Sequence, residues 1–320
     1  MSIYDIYKRY GAGYENAISV MWNVYRKKEF IPVILKDHSK RIWSPEAISV
    51  YAAGIKSCER LPEKGKALLQ LADSIQTPNR DEIGEFVEFE YGNLKCRFYG
   101  AVEAGKIING SIEEIFYTEV YEFLKVEKST IIDIGANIGD TAVYFCLNHA
   151  EHIIALEPFP FSYRYANINV TANEMINKIK LLNVGYGKDL EVKVKDKKSN
   201  AGDILEIYDN GEKINTYSLR TLINMYGLNN KDNLLLKMDC EGCEYNLLDE
   251  PVNTLRKFKR IEIEFHYGYK NLESKLEDAG FSVRHSKPVK SSGNAPSLRK
   301  IALINKDLTG GYIYAERHPV

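Results

Sequence analysis

The stretch 131-IIDIGANIGD-140 decides the fold class of this 320-residue chain. A short apolar strand leads into a turn with glycines at 135 and 139, and a helix is predicted to begin near Gly139. In open α/β sheets, ligands bind at the carboxyl ends of the strands, where the first backbone N–H groups of the next helix are unpaired. The sequence therefore predicts a ligand site at residues 133–140.

Beyond this stretch, apolar segments alternate with helical patterns from about residue 129 onward. This alternation predicts an α/β domain with a mostly parallel sheet that is covered by helices on both faces. The predicted strands are 129–135, 152–158, 178–185, 233–239, 260–266, 281–286 and 298–307, with 311–317 as one more candidate.

The N-terminal part of the chain has a different pattern. Apolar residues three and four apart predict helices within residues 1–75. Segments 85–92 and 94–100 predict a β-hairpin with its turn at Gly92-Asn93, and residues 112–124 predict a further helix.

These patterns divide the chain into two parts. We predict that residues 1–108 form a helical and β-hairpin region and that residues 109–320 form the ligand-binding domain. The tyrosines at 4, 7, 10 and 14 predict one buried helix face, with a contact to a second copy in a homo-oligomer as the alternative.

Composition excludes several classes of protein. The chain has 43 basic and 44 acidic residues, so its net charge of −1 gives no bulk electrostatic attraction to nucleic acid, although a local basic patch would escape this average. No apolar run approaches the roughly 18 residues that span a bilayer, and the charged N-terminus does not fit a signal peptide. We therefore expect a cytoplasmic protein that does not bind membranes.

The residues around the first glycine turn indicate the ligand. A dinucleotide fingerprint would require glycine at 137, where Asn137 stands. Asp133 at the strand end would repel a pyrophosphate but suit a cation, and Glu157 at the end of the next strand is placed to accept hydrogen bonds from ribose hydroxyls. S-adenosylmethionine is a nucleoside that carries a positive group and no phosphate, so it fits these two carboxylates. The alternative is a tight turn in which a carboxylate caps the helix.

The chain resembles the FkbM-type methyltransferase family over roughly residues 110–305. The resemblance rests on the ordered segments 131–140 (IIDIGANIGD), 153–173 (IIALEPFPFSYRYANINVTAN), 218–223 (SLRTLI), 234–248 (LLLKMDCEGCEYNLL) and 261–268 (IEIEFHYG). It implies a Rossmann-like class I methyltransferase domain with a mostly parallel seven-stranded sheet and an antiparallel terminal strand. It also implies methylation of a hydroxyl on a sugar or other small molecule, such as a glycoside.

The resemblance also implies positions for the cofactor. The predicted binding residues are Asp133, Gly135, Asn137, Gly139, Asp140, Glu157, Pro158, Asn183, Val184 and Gly185. Those in the glycine turn would hold the methionine part, Glu157 would bind the ribose, and Asn183 to Gly185 would lie near the adenine.

Catalytic candidates follow the fourth and fifth strands of the domain. Asp239 and Glu241 follow one strand and His266 ends the next, so all three share the edge of the sheet that holds the glycine turn. We predict that Asp239 or His266 takes the proton of the acceptor hydroxyl and that Glu241 orients the substrate or the base. Helix capping by the two carboxylates and a surface histidine are the alternatives.

Other uses of these residues stay open. We predict no metal, but the same three side chains are an alternative Mg²⁺ site that would polarise the hydroxyl. Cys240 and Cys243 form a C-x-x-C pair, which we assign to packing rather than redox chemistry. Methylation of a nucleic-acid base, such as in tRNA, and nucleoside binding without catalysis are the alternative functions.

Overall fold

The computed structural model describes residues 11, 13–28, 31–43, 45–58, 66, 69, 72, 79–100, 111–194, 211–290 and 309–317. The chain divides into two compact units, residues 1–119 and 120–320. The predicted domain boundary between 108 and 109 lies outside the described residues, as do the tyrosines at 4, 7 and 10 and most of residues 59–78.

The first unit contains helices and the predicted hairpin, but a second hairpin of two short strands lies within residues 1–75, where the sequence predicted only helices. Its elements are α1 (Ala17–Tyr25), β1 (Ile31–Ile34), β2 (Lys40–Trp43), α2 (Pro45–Cys58), β3 (Asn79–Arg80), β4 (Glu85–Tyr91) and β5 (Leu94–Tyr99). Strands β4 and β5 pair antiparallel with Tyr91 opposite Leu94, which confirms the hairpin and its turn at Gly92-Asn93. Gly92 has a φ of +60°, a conformation that this tight turn requires and that glycine adopts at little cost.

The predicted helix over 112–124 is wrong in its second half. A π-helical segment spans Glu113–Tyr117, and a separate 3₁₀ turn spans Glu122–Leu124. Between them, Glu119 adopts a φ of +52°, which a right-handed helix cannot accommodate. The apolar spacing alone did not indicate this break.

The second unit is built on one large sheet. Its elements are β6 (Thr130–Ile134), α3 (Asp140–Leu147), β7 (His152–Leu156), α4 (Pro160–Ala172), β8 (Ile179–Leu182), β9 (Gly185–Tyr186), β10 (Leu190–Val194), β11 (Glu212–Tyr217), α5 (Leu219–Met225), β12 (Leu234–Met238), α6 (Val252–Leu255), β13 (Arg260–Phe265), α7 (Lys270–Asp278), β14 (Ser282–His285), β15 (Val289–Lys290) and β16 (Thr309–Glu316).

The strand order places the ligand site. Across the sheet the strands run β8-β7-β6-β12-β13-β16-β14, and β15 pairs with β16. Strands β6, β7, β8, β12 and β13 are parallel, whereas β16 runs antiparallel to β13. This confirms the predicted class I architecture. Chain order reverses between β6 and β12, and open α/β sheets bind ligands at such a switch point.

The candidate strand at 311–317 is present, and one part of the sheet region differs from the prediction. The antiparallel strand beside β13 is Thr309–Glu316, which corresponds to the extra candidate at 311–317, while the predicted strand 298–307 lies outside the described residues. A small separate sheet of β9, β10 and β11 occupies part of the segment after β8, where the sequence predicted no strands. Among the described residues, no helix combines the length and apolarity needed to cross a membrane.

Candidate active site

Two glycines shape the turn between β6 and α3. Gly135 and Gly139 have φ angles of +82° and +83°, in the left-handed region that favours glycine. A Cβ atom at position 135 would lie 1.8 Å from the carbonyl oxygen of Asp239, which leaves no room for a side chain. The glycine turn, residues 133–140, therefore lies directly against the end of β12.

Asp133 begins the glycine turn and is fully buried. Its carboxylate lies 3.1 Å from Nζ of the equally buried Lys237 and accepts a 2.5 Å hydrogen bond from Thr141 Oγ1. Lys237 Nζ also donates to the carbonyl oxygen of Gly135 at 2.8 Å. The structure thus gives Asp133 a cationic partner within the protein, whereas its contact with a cationic ligand stays a prediction.

Glu157 follows β7 and is only 4% exposed. Its two carboxylate oxygens accept hydrogen bonds from the backbone N–H groups of Asn137 (2.8 Å) and Phe159 (2.9 Å). Burial raises the pKa of Glu157 to about 8, although these hydrogen bonds oppose the shift. The free protein therefore holds this carboxyl at the edge of the glycine turn, mostly protonated at neutral pH.

The predicted adenine-side residues follow β8. Asn183 Nδ2 donates to the backbone carbonyls of Glu157 (2.9 Å) and Pro158 (3.1 Å), which joins the ends of β7 and β8. Val184 packs partly buried against the core, and Gly185 begins β9. These residues therefore adjoin the carboxyl that is predicted to bind the ribose.

Asp140 is the first residue of α3 and is 2% exposed. Its Oδ1 accepts a 3.0 Å hydrogen bond from Thr141 N, and burial raises the pKa of Asp140 to about 6. Its Oδ2 is buried and finds no hydrogen-bond partner in the described part of the chain. Buried polar atoms are normally paired, so this oxygen is available to a donor from outside the described residues.

The three predicted catalytic residues meet beyond β12 and β13. One donor atom each from Asp239, Glu241 and His266 lies within 4.8 Å of the other two, and we call these residues the carboxylate–histidine cluster. His266 Nε2 is 3.3 Å from Glu241 Oε2. Tyr121 donates its hydroxyl to Asp239 Oδ2 at 3.3 Å. The structure thus brings together side chains that the sequence could place only on a common edge.

His266 is surrounded by negative charge. Burial alone would lower its pKa, but the hydrogen bond with Glu244 and the nearby carboxylates raise it to about 10. Glu244 Oε1 lies 3.0 Å from Nδ1, and Glu264 Oε1 lies 3.9 Å from Nε2. In the free protein the ring is therefore a cation at neutral pH and is already protonated, which makes Asp239 the better candidate for a general base.

The backbone between Asp239 and Glu244 is tightly constrained. Cys240 and Cys243 form a disulfide here, so their assignment to packing alone is wrong, although both are half-buried against the core. Within the closed segment, Glu241 and Gly242 have φ angles of +55° and +114°. This backbone turns the Glu241 side chain toward His266.

A family model matches the part of the chain that holds this site. The model of the methyltransferase FkbM domain matches residues 133–283, from the glycine turn to β14. The chain contains an FkbM methyltransferase domain. The resemblance predicted from the sequence is confirmed over these residues, and the strand order is that of a class I methyltransferase.

Other proteins are similar to this chain at low sequence identity. Uncharacterized protein 158B of Sulfolobus islandicus rod-shaped virus 1 is 30% identical over 146 residues, which span 46% of this chain and 66% of that protein, just under two thirds. Precorrin-6y C5,15-methyltransferase of Geobacter metallireducens GS-15 has a TM-score of 0.38 at 14% identity and covers 69% of this chain and 94% of its own. Magnesium protoporphyrin IX methyltransferase of Synechocystis PCC 6803, solved with bound SAM, has a TM-score of 0.37 at 10% identity, with 67% and 83% covered.

The glycine turn and the ends of β7 and β8 together form the part of the site that fits S-adenosylmethionine, the methyl donor, and we call this part the donor half. Gly135 lets the turn lie against the Asp239 carbonyl, and Asp140 Oδ2, which has no hydrogen-bond partner among the described residues, suits the ammonium group of the methionine part. Lys237, which could otherwise attract a phosphate, is fully buried and engaged with Asp133 and the Gly135 carbonyl. These observations agree with a cationic, phosphate-free nucleoside.

The sequence did not predict three residues of the site. Lys237 stands out only as a charge within an otherwise apolar strand, and Glu244 as an acid that follows Glu241 by three positions. Both signals are weak because a lone charge in such a segment is more often at a surface. Tyr121 gave no signal, since its contact with Asp239 spans 118 positions of sequence.

Proposed function

We propose that this FkbM methyltransferase transfers the methyl group of S-adenosylmethionine to a hydroxyl group of a small molecule, with glycosides as the first class to test. The proposal rests on the contact between the glycine turn and the carboxylate–histidine cluster. Asp239 N donates to the Ile134 carbonyl at 3.1 Å, and the Asp239 carbonyl closes the space beside Gly135. Methyl donor and candidate base would therefore be neighbours.

The donor half would hold the cofactor by complementary charge and shape. Gly135 and Gly139 would hold the turn against Asp239 and Ala166, and Asp140 would accept a hydrogen bond from the ammonium group of the methionine part. Glu157 would accept hydrogen bonds from the ribose hydroxyls, beside an adenine near Asn183 to Gly185. When bound, the cofactor supplies an electrophilic methyl group on a sulfonium.

The carboxylate–histidine cluster would act on the acceptor. As the hydroxyl oxygen bonds to the methyl carbon, the carbon–sulfur bond breaks and the hydroxyl proton passes to Asp239. Glu241 can accept, and the His266 imidazolium can donate, a hydrogen bond to other hydroxyls of the acceptor. Such positioning is worth up to about 7–11 kcal/mol in model reactions, and a placed base adds about 10²–10⁴-fold.

The substitution Asp239→Asn tests this assignment. Asparagine keeps an oxygen for Tyr121 but is not a base, so we expect turnover to fall about 10²–10⁴-fold at saturating cofactor. The assay measures S-adenosylhomocysteine formed with a panel of sugars and glycosides. Calorimetry should show that the affinity for S-adenosylmethionine changes less than about threefold, because the base does not touch the cofactor.

Asp232→Asn is the matched control, since Asp232 is an exposed aspartate in the same unit. Its turnover should equal that of the wild type. Undiminished turnover of Asp239→Asn would exclude Asp239 as the base. Cofactor binding without turnover on any hydroxyl would favour a non-catalytic nucleoside-binding protein, and turnover on tRNA alone would favour base methylation.

A further inference from the structure

We propose that the carboxylate–histidine cluster is a binding site for one divalent transition-metal ion, for which Mn²⁺ is a suitable probe. The ligands would be Asp239, Glu241 and His266, which offer two carboxylate oxygens and one imidazole nitrogen. The first observation is their convergence. These atoms come from two different strand ends, and all lie within 4.8 Å of one another.

The spacing of the donor atoms suits a common ion. Around a metal with ligand bonds of about 2.1 Å, adjacent donors lie roughly 3 Å apart and opposite donors roughly 4 Å apart. The distance from His266 Nε2 to Glu241 Oε2 is 3.3 Å, close to that of adjacent ligands. Small side-chain rotations would bring all three donors to one centre.

The imidazole ring is held in the orientation of a metal ligand. Glu244 is fully buried, and its Oε1 contacts both Nδ1 (3.0 Å) and the backbone N–H (3.2 Å) of His266. Its Oε2 accepts a 2.7 Å hydrogen bond from Gly242 N, which ties it to the segment that carries Glu241. Metal-binding histidines commonly donate one ring N–H to a carboxylate in this way and bind the ion through the other nitrogen.

Negative charge is concentrated around the ring. Four carboxylates act on this one imidazole, namely those of Asp239, Glu241, Glu244 and Glu264. A divalent ion in place of the Nε2 proton would bring one more positive charge to this partly buried group of carboxylates.

The donor set also limits the class of ion. An imidazole nitrogen beside two carboxylates suits Mn²⁺, Fe²⁺ or Zn²⁺ better than Mg²⁺ or Ca²⁺, which prefer oxygen alone. Three protein ligands leave coordination positions open. If the proposed function holds, an acceptor hydroxyl bound there would lose its proton to Asp239 more readily, because the ion lowers the pKa of the hydroxyl. Metal binding itself does not depend on that function.

The test titrates Mn²⁺ into the chelator-treated 320-residue chain without acceptor or cofactor, and electron paramagnetic resonance measures free Mn²⁺. We expect one bound ion per chain, and at least tenfold weaker binding for Asp239→Asn, Glu241→Gln and His266→Gln. Glu244→Gln should weaken binding about tenfold, since it only orients His266. Glu127→Gln, which removes a carboxylate that is 69% exposed, should bind as the wild type does.

Wild-type protein that binds no Mn²⁺ at about 0.1 mM would overturn the proposal, and this measurement needs no variant to fold. Ligand variants that bind with wild-type affinity would overturn it as well. The metal site and the proposed function can be excluded independently of each other. Methyl transfer that depends on Asp239 but is insensitive to chelators would exclude the metal alone, whereas stoichiometric Mn²⁺ binding without methyl transfer to any acceptor would exclude the proposed function alone.

Discussion

The two halves of the site hold their carboxylates in different ways. In the glycine turn and at the end of β7, Asp133, Asp140 and Glu157 are at most 4% exposed. Their charges meet a buried lysine or backbone N–H groups. In the carboxylate–histidine cluster, the Glu241 and His266 side chains are 27% and 17% exposed and lie against each other.

This difference indicates that the donor half contributes to the stability of the fold, whereas the cluster contributes to binding and reaction of the acceptor. The donor half is part of the core at the switch point of the sheet, so changes there should reduce stability and cofactor binding together. The cluster lies beyond the strand ends, where side chains contribute less to stability and more to chemistry. The following predictions test this separation.

The largest effect on stability is expected for Lys237→Met. The substitution leaves Asp133 buried without its cation, which costs about 3–5 kcal/mol of the free energy of unfolding. Urea denaturation measures the loss. The double variant Asp133→Asn, Lys237→Met should recover part of it because no buried charge is left unpaired. Equal losses for the single and double variants would contradict a dominant ion pair.

Gly135→Ala should have the next largest effect. The new methyl group overlaps the Asp239 carbonyl, and the left-handed backbone adds strain, so we expect a loss of roughly 2–4 kcal/mol and of cofactor binding. Gly227→Ala is the matched control, since Gly227 has a φ of +63° with nothing within 4 Å of a built Cβ. It should cost only about 1 kcal/mol.

The glycine turn and Lys237 show what the sequence could and could not predict. The glycine turn and its strand were predictable because a strand, two glycines and a helix start occur in a fixed local order. The same local logic placed Asp239 and His266 on one edge, since parallel strands end on the same side. It could not predict Lys237 as the partner of Asp133, because that pairing depends on β6 lying beside β12.

The predictions that were wrong also depend on structure that a local sequence pattern does not encode. The break at Glu119 and the disulfide between Cys240 and Cys243 depend on backbone conformations that apolar periodicity does not encode. The candidate strand at 311–317 is confirmed as Thr309–Glu316, but the sequence left open whether it joins the sheet, because pairing with β13 is a tertiary property.

Ionisation of Glu157 as the pH rises should have a moderate effect on cofactor affinity. Its pKa of about 8 means that a rise from pH 6 to pH 8.5 ionises the carboxyl, and ribose hydroxyls donate best to the ionised form. Affinity for S-adenosylmethionine should therefore rise about tenfold over this range. Calorimetry of Glu157→Gln should show weaker binding and a smaller pH dependence, since Asp140, with a pKa of about 6, still ionises over this range; a variant that keeps the full wild-type dependence would exclude Glu157.

Glu157 also affects stability, in the opposite direction. Without cofactor, a rise in pH should lower the free energy of unfolding, whereas it should raise cofactor affinity. The unfolded chain ionises Glu157 near its ordinary pKa of 4.5, whereas the folded chain keeps the proton to about pH 8. The unfolded state thus binds fewer protons between these values, and the free energy of unfolding should fall as pH rises from about 5 to about 8. Urea denaturation of the wild type and Glu157→Gln at pH 5 and pH 8 measures this contribution.

The smallest effect on stability is expected for Glu241→Gln. The change weakens the contact with His266 but also removes one of several like charges, and the side chain is partly exposed, so the free energy of unfolding should change by less than about 0.5 kcal/mol. Turnover should nevertheless fall, because glutamine is uncharged and orients the acceptor less well. Urea denaturation and the methyl-transfer assay on the same samples separate the two effects. A loss of several kcal/mol would show that the cluster supports the fold as the donor half does, and the distinction between the two halves would be lost.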